Sequence, residues 1–140
     1  MCLVLKDNKP KISDEDLTFY KAYYSRYEER PRTLYRNYDF NFGELNKIES
    51  PNFNTHHINP DRVLVMEGAF HLFVNKEDAY KVAKVVYGGA VCKAVIPKGT
   101  PYLEGVFEFV DYVLEDKEVH QVVTKMPSIA TKAVTYLKDD

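Results

Sequence analysis

The chain has 140 residues, 45% of them hydrophobic and 29% charged, with a formal net charge of −2 and two cysteines, Cys2 and Cys92. That length and composition read as one soluble globular domain over residues 1–140, without a global basic field for duplex nucleic acid. Two thiols are too few for a disulfide scaffold, no apolar run reaches a membrane span, and residues 1–11 lack the apolar length of a signal peptide, so a cytoplasmic setting, in a bacterium or a phage-infected host, is expected.

Taken in order, residues 1–16 form an N-terminal arm with a short apolar patch at Leu3-Val4-Leu5. Cys2 could act as a nucleophile if exposed by trimming, but no matching base can be named, and a thiol on an ordinary first strand or arm is the plainer reading. Leu17–Tyr23 is rich in aromatic and β-branched residues and reads as a strand, with Lys21 on the face opposite Tyr20. Residues 24–31 read as a loop and Thr33–Tyr38 as a second strand. Residues 39–62 carry Asn, Pro, Gly and isolated aromatics, and read as a long loop with one helical turn at Phe42–Ile48, a candidate lid. Arg62–Met66 is a short extended segment.

Residues 69–105 hold the most explicit pattern. A strand is followed by Asn75, expected to cap a helix over Lys76–Tyr87 by accepting from its first amides. Glu77 and Asp78 suit the positive end of the helix dipole, and Ala79, Val82, Ala83 and Val86 form a stripe to face a sheet. Gly88-Gly89 stops the helix, Val91–Ile96 is a strand containing Cys92 as a small core residue, and Pro97–Pro101 is a rigid turn. Val106–Leu114 is apolar on both alternating sets apart from Glu108 and Asp111, which predicts a central strand covered on both faces. Glu115-Asp116-Lys117 is a turn, Glu118–Lys125 its hairpin partner, and Ser128–Leu137 a final helix or edge strand. The sum is an α+β fold: a twisted, mostly antiparallel sheet of about six strands with one helix on it.

One cluster suggests a function. Six of eleven tyrosines fall between Tyr20 and Tyr38, and four of five arginines between Arg26 and Arg36. Aromatic faces stack on bases and arginine forks grip phosphates, so the pattern fits a nucleotide-like small molecule. It fits equally a strand packed by alternate tyrosines beside a solvated charged loop. The candidate ligand-binding residues are Tyr20, Lys21, Tyr24, Arg26, Arg32, Tyr35, Arg36, His71, Lys98 and Tyr102. They are placed where the Tyr20–Arg36 segment meets the turn at Lys98–Tyr102. No catalytic residue, cofactor or metal is assigned. Adjacent His56 and His57 point to different sides of an extended chain, and Lys98 lacks the glycine-rich run and following helix of a P-loop.

Phe70-His71-Leu72-Phe73, the capped helix with Glu77-Asp78-Ala79, and Ile96-Pro97-Lys98-Gly99-Thr100-Pro101-Tyr102 resemble a group of small uncharacterised proteins of phages and gut bacteria, as do Met1-Cys2-Leu3 and Tyr20-Lys21. More distantly, the element order resembles the ADP-ribosyltransferase fold. That likeness would place Lys21 or Tyr20, then His71-Leu72-Phe73, then Glu108 at the family's functional positions, with its Ser-Thr-Ser missing. Three readings follow: a non-catalytic binder of a nucleotide-like molecule, in a phage sequestering a host immune signalling nucleotide; an ADP-ribosyltransferase-like enzyme using NAD; and an accessory interaction protein without a small ligand. No membrane or duplex nucleic-acid partner is expected, and self-association into a homo-oligomer is left open.

Overall fold

A computed structural model describes residues 3–6, 9–25, 32–33, 40–50, 53–59, 62–67, 69–85 and 88–138. They form a mostly antiparallel sheet with one helix, as the sequence predicts, but it is broader than six strands. Its order is β5-β12-β9-β3-β8-β11-β10-β1-β7-β6, with β2 pairing β10 and β4 pairing β3 off that path. These segments are β1 (Leu3–Leu5), β2 (Lys11–Ile12), β3 (Leu17–Tyr24), β4 (Arg32–Thr33), β5 (Leu45–Lys47), β6 (Asn54–Asn59), β7 (Arg62–Glu67), β8 (Phe70–Phe73), β9 (Gly89–Ile96), β10 (Pro101–Glu115), β11 (Glu118–Thr131) and β12 (Ala133–Leu137). Several are only two or three residues long.

Two apolar layers occupy the sheet's opposite faces. On one, Leu3, Leu5, Ala22, Phe73, Val91, Leu103, Phe107, Phe109 and Met126 pack with Ala79, Val82 and Ala83 of the helix α1 (Lys76–Lys84). On the other, Leu72, Cys92, Ala94, Ile96, Ile129, Val134 and Tyr136 pack with Tyr23 and Phe40. The strict alternation of β3, β8 and β9 sends neighbouring residues to different layers. Leu3, Cys92, Ile96, Leu103, Met126 and Tyr136 are fully enclosed.

Several expectations need correction. The N-terminal arm is built into the sheet: β1 lies between β10 and β7, and β2 pairs β10. The expected loop 39–62 contains β5 and β6, and Phe42 bridges Tyr136 where a helical turn was expected. Its aromatics are core residues: Phe40 meets Tyr23 edge-on at 5.6 Å and Tyr136 at 4.5 Å. The final segment is neither a separate helix nor a new strand at Ser128. Instead β11 runs on through Pro127 to Thr131. Pro127 is tolerated because its missing N–H faces away from β10, while its carbonyl accepts from Val74.

The helix is shorter than predicted, ending with a cap at Val85; Val86 and Tyr87 lie outside the described residues. Asn75 is extended at the cap position, but its side chain does not accept from a first-turn amide. Its Nδ2 donates to the Asp78 carboxylate at 3.3 Å instead. Gly88 has φ +79°, the left-handed conformation expected after a helix. At Gly89 a Cβ would strike the Ala83 carbonyl, so only glycine lets β9 start against α1.

Candidate functional site

Two of the predicted ligand residues are interior. Lys21 and Cys92 are register partners on β3 and β9, in the layer of Tyr23 and Tyr136. β3 pairs β8 only at Tyr20↔Phe73, after which the strands part. Across the gap, the Lys21 Nζ donates to the His71 carbonyl at 3.0 Å. Burial lowers the Lys21 ammonium to a pKa of about 8, partly offset by Cys92. The His71 ring projects into the opposite layer by strand alternation, and neither ring nitrogen has a hydrogen-bond partner among the described residues. Burial, then the Lys21 charge, holds its pKa near 3, so the imidazole is neutral at physiological pH. The Tyr136 hydroxyl is also buried without a partner among the described residues, and burial raises its pKa well above the ordinary value. Such groups can tune stability with pH. They are enclosed, which removes Lys21 and His71 from direct contact with a ligand at the surface.

The predicted site residues divide into separate places. Tyr20 packs beside the helix layer. At the other end of β3, the partly exposed Tyr24 is the register partner of Arg32 on β4. The adjoining Ser25 is fixed by donating through N–H and Oγ to the Gly88 carbonyl, at 2.8 and 3.1 Å. Arg26, Tyr35 and Arg36 lie outside the described residues, as does most of the second strand expected at Thr33–Tyr38. Lys98 stands beyond Ile96, which pairs Leu17. The seven residue-to-residue steps from Leu17 to Tyr24 put it roughly 23 Å or more from the Tyr24–Arg32 pair. Tyr102 packs on the Tyr136 layer.

The turn at Lys98 is a structural lock. Lys98 N–H donates to Asp16 Oδ1 at 2.9 Å, Gly99 N–H to the Ser13 carbonyl at 2.8 Å, and Thr100 N–H to Ser13 Oγ at 2.9 Å. The Ser13 and Thr100 hydroxyls both donate to the Pro97 carbonyl at 2.7 Å. A phosphate loop needs free amides, and these three are already committed to the protein. Ser13 and Asp16 carry no motif of their own, so sequence reasoning passed over them.

Glu108 and Tyr20 stand on opposite faces of the sheet. Tyr20, Phe73, Ser128 and Gly105 are successive register partners and share a face. Glu108 lies three residues beyond Gly105, so it projects from the opposite face, across from Lys125. Among the described residues, no three His, Cys, Asp or Glu side chains gather as a metal site, and His56 and His57 are both exposed on β6.

Other positions also escaped the sequence reading. Lys132 is buried, with its Nζ 4.9 Å from the centre of the Phe53 ring. Phe40 and Phe42 were legible only as two aromatics one residue apart, a spacing that puts both on one side of an extended chain. No protein-family model, curated protein or solved structure matches this chain.

Proposed function

We propose that this protein binds a nucleotide-like small molecule without turning it over, and that in a phage setting it sequesters a host signalling nucleotide. The observation that carries the reading is the pairing of Tyr24 with Arg32 across β3 and β4. Register partners in an antiparallel pair have Cβ atoms about 5 Å apart. The pairing therefore sets a tyrosine and an arginine opposite each other in register. The connection between them, residues 25–31, carries Arg26, Tyr27 and Arg30 in sequence, and Tyr35 and Arg36 follow soon after. A base needs the first kind of group and a phosphate the second.

The geometry concentrates the reading on Tyr24 and Arg32, with Arg26, Tyr35 and Arg36 as near neighbours in sequence. Lys21 and His71 would support such a site from the interior, and Lys98 and Tyr102 lie away from it. A stacked base contributes ~1–3 kcal/mol and a hydrogen bond to a charged group ~1.5–3 kcal/mol. Two of each leave micromolar binding after the cost of association. Glu108 and Tyr20 stand on opposite faces, so the NAD-consuming alternative would have to draw on Lys21, which shares the Glu108 face but is enclosed.

Mono-, di- and cyclic nucleotides titrated against the wild type and an Arg32→Ala/Arg36→Ala variant test this reading. Micromolar binding that the variant loses is the expected outcome. Binding no tighter than millimolar, or equal in the two proteins, sinks the proposal.

A further inference from the structure

The distal half of the β10–β11 hairpin is a two-stranded arm. Among the described residues, β1 pairs β10 only from Gly105 to Phe107, and β8 pairs β11 only from Ser128 to Thr131. Beyond those limits β10 and β11 pair only with each other, in unbroken register from Glu108↔Lys125 to Glu115↔Glu118. Such a ribbon is marginal in water without a third strand or a packed face.

The arm is amphipathic. One face carries the cross-strand pairs Val110↔Val123, Tyr112↔Gln121 and Leu114↔Val119. The other carries Asp111↔Val122, Val113↔His120 and Glu115↔Glu118. On the apolar face Leu114 is 72% exposed, and Tyr112 and Val119 each 67%. Its five apolar side chains expose roughly 600 Å², the upper end of what a typical monomer leaves in one patch.

We infer that two copies of this chain associate by packing these apolar arm faces together. Area is the first reason: two such faces would bury roughly 1,200 Å², where specific interfaces begin. Charge is the second. The apolar face holds no ionised group between its Glu108↔Lys125 base and its tip, so it can meet a copy of itself without stranding a charge. Asp111, Glu115 and Glu118 lie on the other face, and packing two arms turns them outward into water. Those acids, with Asp116 at the tip, also disfavour an anionic lipid surface or a nucleic acid as the occupant.

The test is the solution mass of the full chain by light scattering at micromolar concentration. Wild type should weigh twice 16.3 kDa. Leu114→Glu/Val119→Glu should halve that mass and keep the far-UV circular dichroism of a folded chain, because both side chains are exposed in a single copy. Val113→Glu/Val122→Glu, on the other face, should leave the mass at the wild-type value. In wild type, amide exchange over 110–123 should slow as concentration rises through the association. A wild type of 16.3 kDa throughout overturns the inference. So does an apolar-face variant that keeps the double mass, a polar-face variant that loses it, or concentration-independent exchange.

Discussion

The Lys21 ammonium donates to the backbone carbonyl of His71 at 3.0 Å, which puts a lysine side chain where the β3–β8 ladder stops. It satisfies a carbonyl that has parted from β3, and it keeps a buried cation beside a neutral imidazole. Each group makes the stability of the fold depend on pH, with windows on opposite sides of neutrality.

His71 governs the acid side. Its folded pKa near 3 lies below the ordinary 6.5, so the unfolded chain binds the extra proton between those values. Stability from this group is complete above pH 6.5 and falls as pH drops toward 3, by up to about 5 kcal/mol over the window. Urea unfolding of wild type and His71→Leu across pH 7 to 4 should show a shallower decline in the variant. Parallel declines would show that His71 is not the group titrating.

Lys21 governs the alkaline side. Its folded pKa of about 8 lies below the ordinary 10.5, so the buried ammonium is a burden below pH 8. That burden is relieved as pH rises from 8 toward 10.5, worth up to about 3 kcal/mol. Above about pH 10 the raised pKa values of Tyr136 and Tyr23 act in the other direction, because the unfolded tyrosines ionise first. Between pH 8 and 10 wild type should therefore gain stability that Lys21→Met does not, and equal profiles would contradict the assignment.

At the turn, Ser13→Ala removes a hydroxyl that donates to the Pro97 carbonyl and accepts from the Thr100 amide. Ser13 is buried, so the loss should be about 1–3 kcal/mol and lower the thermal midpoint. Lys98→Ala, at an exposed position of the same turn, should change stability by less than about 0.5 kcal/mol. If the lysine variant were the more destabilised, the turn would owe its shape to the cation.

Val82 sits at 1% exposure under the sheet. Val82→Asp should cost more than about 3 kcal/mol, since an unpaired carboxylate would be enclosed among Ala79, Ala83 and Phe73. An unchanged melting temperature would remove α1 from the core.

What could be read in the sequence was whatever local physics decides. The alternation of residues 17–23, the spacing of Ala79, Val82 and Ala83, the glycine at 88 and the turn before Glu118 are such features, and each has its counterpart in the fold. Asp116 and Lys117, at φ 50° and 64°, make the tight turn between β10 and β11. Position in the sheet was less legible, because it depends on partners distant in sequence. Both sets of Val106–Leu114 are apolar, which reads as a doubly covered strand, yet cover ends at Phe109 and the rest is the arm. Residues 45–47 and 54–59 have weak strand patterns and become strands by pairing with β12 and β7. The interior place of Lys21 follows from Cys92 being its cross-strand neighbour, a register that no local rule supplies. The Tyr–Arg clustering was visible as composition, while the Tyr24–Arg32 pairing required knowing where β4 lands.

The place of β1 between β7 and β10 has a kinetic consequence. Leu3 pairs with Val65 on one side and Phe107 on the other, so its two seams close loops of very different length. During synthesis the second seam cannot form until most of the chain has emerged, and Leu3 must remain without its Phe107 partner until then. Closing so long a loop costs entropy before any contact repays it, which makes this seam a slow step of folding.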